Sequence, residues 1–91
     1  MQIRWSAEAA EDLERIGLHI GNNNPPAARR VVRTIYDGVS ALETFPERGR
    51  IGRLAGSREL VFSGLPYIAV YRIIGQTVEV SRIYHGAQNR P

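Results

Sequence analysis

The reading of this chain turns on residues 67–84. There Tyr67-Ile68-Ala69-Val70-Tyr71-Arg72-Ile73-Ile74 and Thr77-Val78-Glu79-Val80-Ser81-Arg82-Ile83-Tyr84 flank Gly75-Gln76. Both runs are rich in β-branched and aromatic residues, and a two-residue link that begins with Gly supplies the positive φ of a type II′ turn. The stretch is therefore a β-hairpin. In its second strand Val78 and Val80 share one face while Glu79 and Ser81 share the other, so the sheet has a dry side and a wet side. Something must cover the dry side.

Working outward, Arg58-Glu59-Leu60-Val61-Phe62 reads as a further strand, and Ser63-Gly64-Leu65-Pro66 as the turn into the hairpin. At the other end of the chain, Gln2-Ile3-Arg4-Trp5 alternates apolar and polar residues and suits an extra strand on the same sheet. Ser6 then offers an N-cap. Glu8, Glu11 and Asp12 sit in the first turns of the helix it opens, and Leu13, Ile16 and Ile20 recur at helical spacing up to Gly21. Asn24 as N-cap and Pro25 as first helical residue restart the chain as a second helix. Its stripe is Ala28, Val31 or Val32, Ile35, Val39 and Leu42, closed by Phe45-Pro46. The stripes of an antiparallel helix pair supply the missing cover. The architecture is α+β, in the order β-α-α-β-β-β, with the helix hairpin packed on one face of a mainly antiparallel sheet. Residues 46–57, with three glycines and three arginines and no periodicity, read as a loop, either a solvated connector or a basic contact surface.

Ninety-one residues make one domain, 1–91, large enough to bury roughly 60–65% of its unfolded surface. Without Cys there is no thiolate metal site and no redox centre, and nothing marks the chain as secreted. No apolar run approaches the ~20 residues that cross a bilayer, and no signal segment opens the chain, so a cytoplasmic location is expected. The net charge of +3 hides an asymmetry: five Arg stand against six acids up to Phe45, and seven Arg against three acids from Pro46 onward. The sheet half should attract an acidic partner. All twelve basic residues are Arg, which excludes lysine chemistry and favours forked contacts to carboxylate or phosphate.

His19 and His85 lie in different elements, so no metal or other cofactor is expected. His19 reads as a helix-surface residue. His85 follows the last strand, within reach of Tyr84, Arg82 or Tyr67; it can end the strand structurally or serve as a general acid or base. Arg82 has the parity of Val78 and Val80, which points it toward the helices. A guanidinium there needs either an ion pair, with an acid such as Glu11 or Glu14, or a bulge that turns the strand outward. Arg72 faces the same choice beside Val70 and Ile74, whereas Tyr67 and Tyr71 fall on the opposite, wet face, free to stack on a partner. No nucleophile motif, phosphate-binding glycine loop or paired carboxylates are found.

The C-terminal stretch, with its Tyr67-x-x-x-Tyr71-Arg72-Ile73 core and Arg82-Ile83-Tyr84-His85-Gly86-Ala87, resembles the ParE branch of the RelE/ParE toxin superfamily. The resemblance extends to Trp5-Ser6-Ala7-Glu8-Ala9 with Asp12-Leu13, to Asn24-Pro25 with Ala27-Ala28-Arg29-Arg30, and to Leu42 through Gly49. It thus covers essentially the whole chain. It implies a toxin of a type II toxin-antitoxin (plasmid stabilisation) module, neutralised by an acidic antitoxin whose C-terminal segment wraps it, with DNA met only through that antitoxin. ParE proteins act on DNA gyrase without being nucleases, so no catalytic residue is expected. The sister RelE branch cleaves messenger RNA on the ribosome. If this chain did so, Arg58, Tyr67, Arg82 and His85 would have to carry base, acid and phosphate charge. Against that branch, Ile68 stands where Arg is frequent and Lys is absent. Against the ParE tail pattern His-Gly-x-Arg-Asp, the chain carries Gln88-Asn89. On this reading the target-binding candidates are Arg58, Tyr67, Tyr71, Arg82, Tyr84, His85 and Arg90, and the antitoxin-binding candidates are Arg48, Arg50, Arg53, Leu54 and Arg72. A third reading is an attenuated toxin kept for binding its antitoxin and for autoregulation.

Overall fold

In the computed structural model, residues 1–86 are described. Their order is β1 (Gln2–Trp5), α1 (Ala7–Gly21), α2 (Pro25–Ser40), a 3-10 turn (Ala41–Glu43), β2 (Arg50–Ile51), β3 (Ser57–Val61), β4 (Tyr67–Ile74) and β5 (Thr77–His85). The five strands form one sheet in the order β1-β5-β4-β3-β2, parallel between β1 and β5 and antiparallel elsewhere. The helix pair covers one face. The short β2 lies inside the stretch that the sequence pattern predicts as loop. Two residues carry no periodicity, and Arg50-Ile51 becomes a strand because β3 offers it a partner edge. The expected loop assignment for residues 50–51 is corrected accordingly.

Local chemistry explains the boundaries. Ser6 Oγ accepts the Ala9 N–H at 3.0 Å and donates to the Ser81 carbonyl at 2.9 Å, so one side chain both caps α1 and ties it to β5. Asn24 Oδ1 accepts the Ala27 N–H at 3.1 Å, and Pro25 opens α2. Gly75 has φ +58° at the first position of the hairpin link, as a II′ turn requires. The buried core joins Ala9 of α1, Ile35 and Val39 of α2 and Leu42 to Leu60, Ala69, Tyr71, Val78, Val80 and Ile83 of the sheet. Leu13, Ile16 and Val31 pack against it.

The hairpin register also decides the faces. Ile73 pairs with Val78 and Tyr71 with Val80, and directly opposed residues point the same way. Tyr71 therefore belongs to the dry face, and the expected placement of Tyr67 and Tyr71 on the wet face is corrected. Val70, Arg72 and Ile74 face outward instead, with Ile74 exposed. The signal was available in the two-residue turn, which sets these partners before any tertiary contact. A β-bulge then intervenes: Val70 pairs with Arg82 while Tyr71 pairs with Val80, leaving Ser81 as the extra residue. Its Oγ donates to the Val70 carbonyl at 3.0 Å. Beyond the bulge the parity of β5 switches, so Ile83 is buried and Arg82 is not.

Candidate functional site

Asp12 is the polar centre of the structure. It is 3% exposed on α1, facing β5 just past the point where β1 ends and the strand edge would be left unpaired. Its carboxylate accepts the Ile83 N–H at 2.9 Å, Arg82 Nε at 2.8 Å, Arg82 Nη2 at 3.1 Å and Arg15 Nη1 at 3.1 Å. Burial pushes the Asp12 carboxyl up, but the hydrogen bonds from Arg82, Ile83 and Arg15 outweigh it, and the net shift is downward. The same pair raises the Arg82 guanidinium, against some opposition from burial. Arg82 thus uses both expected devices, a bulge and an ion pair, but the acid is Asp12 rather than Glu11 or Glu14. Helical spacing concealed this, because Asp12 reads equally well as a first-turn carboxylate serving the helix dipole.

On the outer face of the sheet, a cavity of about 200 Å³ lies between the strands and the 52–56 loop. Arg53, Leu54, Arg72, Arg82 and Tyr84 line it, above Ser57 and Glu59. The Arg82 guanidinium sits 5.1 Å from the centroid of the Tyr84 ring. Arg72 Nη1 donates to the Ala55 carbonyl at 2.6 Å and holds the loop down. Arg50 Nη2 meets the Glu59 carboxylate at 3.0 Å; Glu59 is a buried acid on this face. Candidates assigned to two different partners thus share one cationic groove.

The other candidates disperse. Tyr71 is fully buried, with its hydroxyl donating to the Pro46 carbonyl at 2.6 Å and accepting the Gly49 N–H at 2.9 Å. It is a core residue, so its proposed contact with a target is withdrawn. Burial raises its phenol despite the Gly49 N–H and the Arg58 charge. Arg58 donates to the Gly49 and Glu47 carbonyls at 2.8 and 3.2 Å, holding the same corner. Arg48 lies 6.0 Å from the ring centroid of exposed Phe45. Tyr67 and His85 meet edge to face, 5.5 Å between centroids, at the helix-side corner. That corner is a cavity of about 220 Å³ shared with Asp12, Arg15 and His19. Arg90, Gln88 and Asn89 lie outside the described residues.

One surface escaped the residue-by-residue reading. Trp5, Leu13, Leu18, Val32 and Tyr36 line an apolar groove of about 510 Å³ along the outside of the helix hairpin. Trp5 stacks on Tyr36, 6.3 Å between centroids, and Leu18 is 64% exposed. The signal was an ambiguity: with Val31 filling the core stripe, Val32 and Leu18 remain as apolar residues off that stripe. Among the described residues no cluster of acids and histidines could hold a metal ion, and no helix is long and apolar enough to cross a membrane.

A helix hairpin on one face of a five-stranded sheet, with arginines on the other, is the arrangement that the resemblance to RelE/ParE toxins implies. The comparisons make it specific. Residues 3–90 match the model of the ParE toxin of the type II toxin-antitoxin system parDE, and the chain belongs to that family. It is 42% identical over 90 residues to Y4kP, a candidate toxin of Sinorhizobium fredii, covering 99% of this chain and 93% of the relative. It is 30% identical over 86 residues to toxin RelE1 of Caulobacter vibrioides, covering 93% and 92%. Among solved structures, a chain of the chromosomal ParDE toxin-antitoxin system of P. aeruginosa superposes with a TM-score of 0.85 at 28% identity, covering 93% of this chain and 95% of that one. A chain of the intact E. coli RelBE complex shares the fold alone, with a TM-score of 0.71 at 13% identity and 98% coverage of each.

Proposed function

We propose that this toxin acts by binding, with DNA gyrase as its target, and that it is not a nuclease. The observation that carries the reading is the dispersal of Arg58, Tyr67, Arg82 and His85. Cleavage of RNA needs an acid, a base and positive charge within hydrogen-bonding reach of one phosphodiester. Here Arg58 is committed to two loop carbonyls, Arg82 is clamped to Asp12 beside the outer groove, and Tyr67 and His85 sit at the helix-side corner. The target surface is then the outer sheet face with Arg82 and Tyr84, together with the C-terminal end.

Neutralisation falls to an acidic antitoxin in the cytoplasm. Its apolar helix face suits the Trp5–Leu18–Tyr36 groove, and its carboxylates suit Arg48, Arg50, Arg53 and Arg72 beside exposed Leu54. Contact with DNA is made through the antitoxin. A ribonuclease remains the second reading, favoured by one feature: Arg53, Arg72 and Arg82 converge with Tyr84 on a single groove.

The test adds purified chain to a gyrase supercoiling reaction and, in parallel, to cell-free translation with message integrity followed. Loss of supercoiling with intact message is the expected result, and His85→Ala and Tyr67→Phe should retain it. Message cut only in the presence of ribosomes would overturn the binding reading. No effect in either reaction, with the antitoxin still bound tightly, would point to an attenuated toxin.

A further inference from the structure

The two helices of the hairpin carry opposite charges. Between Ala7 and Gly21, α1 has four acids against one Arg, whereas α2, between Pro25 and Ser40, has three Arg against one acid. Glu14 lines the apolar groove from the α1 side; on the α2 side Val32 and Tyr36 continue into an adjoining cavity lined by Arg29 and Arg33. Glu14, Arg29 and Arg33 are exposed, and among the described residues none of them has an ion-pair partner. Two large apolar side chains stand beside them, Leu18 on α1 and Tyr36 on α2, 64% and 53% exposed. Close packing fixes the level of each residue along the groove. A Cβ on Gly17 would stand 3.1 Å from Val32 Cγ2, and one on Gly21 3.5 Å from Ala28 Cβ. Counted from these contacts in an antiparallel pair, Leu18 lies level with Val31, and Arg33 with Ile16. Glu14 and Arg33 are thus on opposite rims and only ~3 Å apart along the axis.

We propose that this face binds a second copy of the chain, so that the free protein forms a symmetric dimer, helix hairpin against helix hairpin. Charge complementarity selects the occupant. A two-fold axis that lies in the interface and runs parallel to the helices sets α1 of one copy against α2 of the other and keeps every level unchanged. Glu14 then meets the second copy's Arg33, and by symmetry the pair is made twice. Leu18 meets the groove floor of the other copy at Val32, where it is withdrawn from water. A two-fold running across the helices would instead oppose α1 to α1 and set like charges together. A partner of a single charge sign suits one rim and is repelled by the other, whereas a second copy meets each rim with its opposite. With one exposed Leu and one exposed Tyr as anchors, the dimer is dissociable, with a Kd on the order of 10 μM. It belongs to the free chain and does not depend on the choice of target; an antitoxin helix in the same groove would replace the second copy.

The full chain, freed of antitoxin, is followed by sedimentation velocity between about 1 and about 200 μM, a range that brackets the expected Kd. A monomer–dimer transition should appear. The emission of Trp5, the chain's one tryptophan and part of the groove, should move to shorter wavelength with it. Glu14→Arg and Arg33→Glu each place like charges opposite one another at two symmetric positions, so each should weaken the dimer about tenfold. Both side chains are exposed, and circular dichroism should show the folded monomer unchanged. An equimolar mixture of the two variants should regain wild-type association. One variant then carries Arg at both positions and the other Glu at both, so every pair across the interface is again of opposite sign. A chain that stays monomeric at the highest concentration would overturn the proposal. Single variants that dimerise as tightly as wild type, a mixture no tighter than either variant, or a dimer that leaves Trp5 emission unmoved would overturn it too, since the contact would lie on another face.

Discussion

Tyr71 and Asp12 each bury a polar group in this small fold, and the two are stabilised by different means. At the Pro46–Gly49 corner the Tyr71 hydroxyl is neutral and satisfied by backbone, one carbonyl and one N–H. At the β5 edge Asp12 is ionised and satisfied chiefly by another side chain, Arg82, from 70 residues further along the chain. The first arrangement closes a loop over the core and is indifferent to pH across the neutral range. The second closes an open strand edge, where a bare N–H would otherwise invite pairing, and depends on charge. It also couples helix to sheet, because α1 supplies the acid and β5 supplies the Arg82 and Ile83 donors, with Arg15 of α1 adding a third.

Removing the Asp12 carboxylate should have the largest effect. Asp12→Ala leaves Arg82 and the Ile83 N–H without their partner. Breaking a fully buried pair costs ~3–5 kcal/mol, and Arg82, 40% exposed, can be rehydrated, so about 2–3 kcal/mol is expected. At roughly 4–8 °C per kcal/mol, thermal unfolding should fall by at least about 8 °C. The same contrast has a pH form. The Asp12 carboxyl titrates lower in the folded chain than its ordinary 3.8, so its stabilisation is complete above that value and is lost as pH falls through the folded pKa. Urea midpoints followed downward from pH 6 should therefore converge for wild type and Asp12→Asn in strong acid. Persistence of the full difference would break the comparison.

At the neutral corner the next effect is steric. A Cβ on Gly49 would stand 2.7 Å from both Tyr71 Cε1 and its hydroxyl and 3.0 Å from the Glu59 carbonyl. Gly49→Ala should cost about 1–3 kcal/mol, read by denaturant unfolding. Tyr71→Phe is milder. It leaves the Pro46 carbonyl and the Gly49 N–H unsatisfied, for about 1–2 kcal/mol, with no change in acid sensitivity. Its signature lies at the alkaline end. The phenol is raised above 10.0 in the folded state, so above that pH the unfolded chain releases the proton first and stability falls with rising pH. Tyr71→Phe should flatten that decline, as urea midpoints between pH 9 and about 11 would record. The smallest effect is reserved for Arg4→Ala, whose contact with Glu79 at 3.8 Å is largely exposed. It should stay within about 0.5 kcal/mol by the same measurement.

The elements of the fold were legible because each has a local cause. Ser6 and Asn24 mark helix starts by capping, Gly75 marks the turn by its positive φ, and the period of Ala28, Ile35, Val39 and Leu42 marks the buried stripe. The two-residue turn also contains the correct face for Tyr71, since it sets Tyr71 opposite Val80, whereas the alternation within β4 alone does not say which of its faces is dry. The candidate site was less legible. That Arg82 needed a partner or a bulge follows from the cost of a buried charge; that it has both, and that the partner is Asp12, does not.

Sequence alone thus determined the strands other than β2, the two long helices, their order and the excess of arginine in the second half, since propensity, capping and periodicity act over a few residues. Only the tertiary structure decided where the arginines act. One unpaired residue in β5, Ser81, switches the side on which the later side chains of that strand fall. That slip sends Arg82 outward and places His85 beside Tyr67, and the sheet then gathers Arg53, Arg72 and Arg82 from three segments into one groove. A bulge carries no local signature strong enough to read, because its stability comes from the pairing of distant strands rather than from the residues that form it.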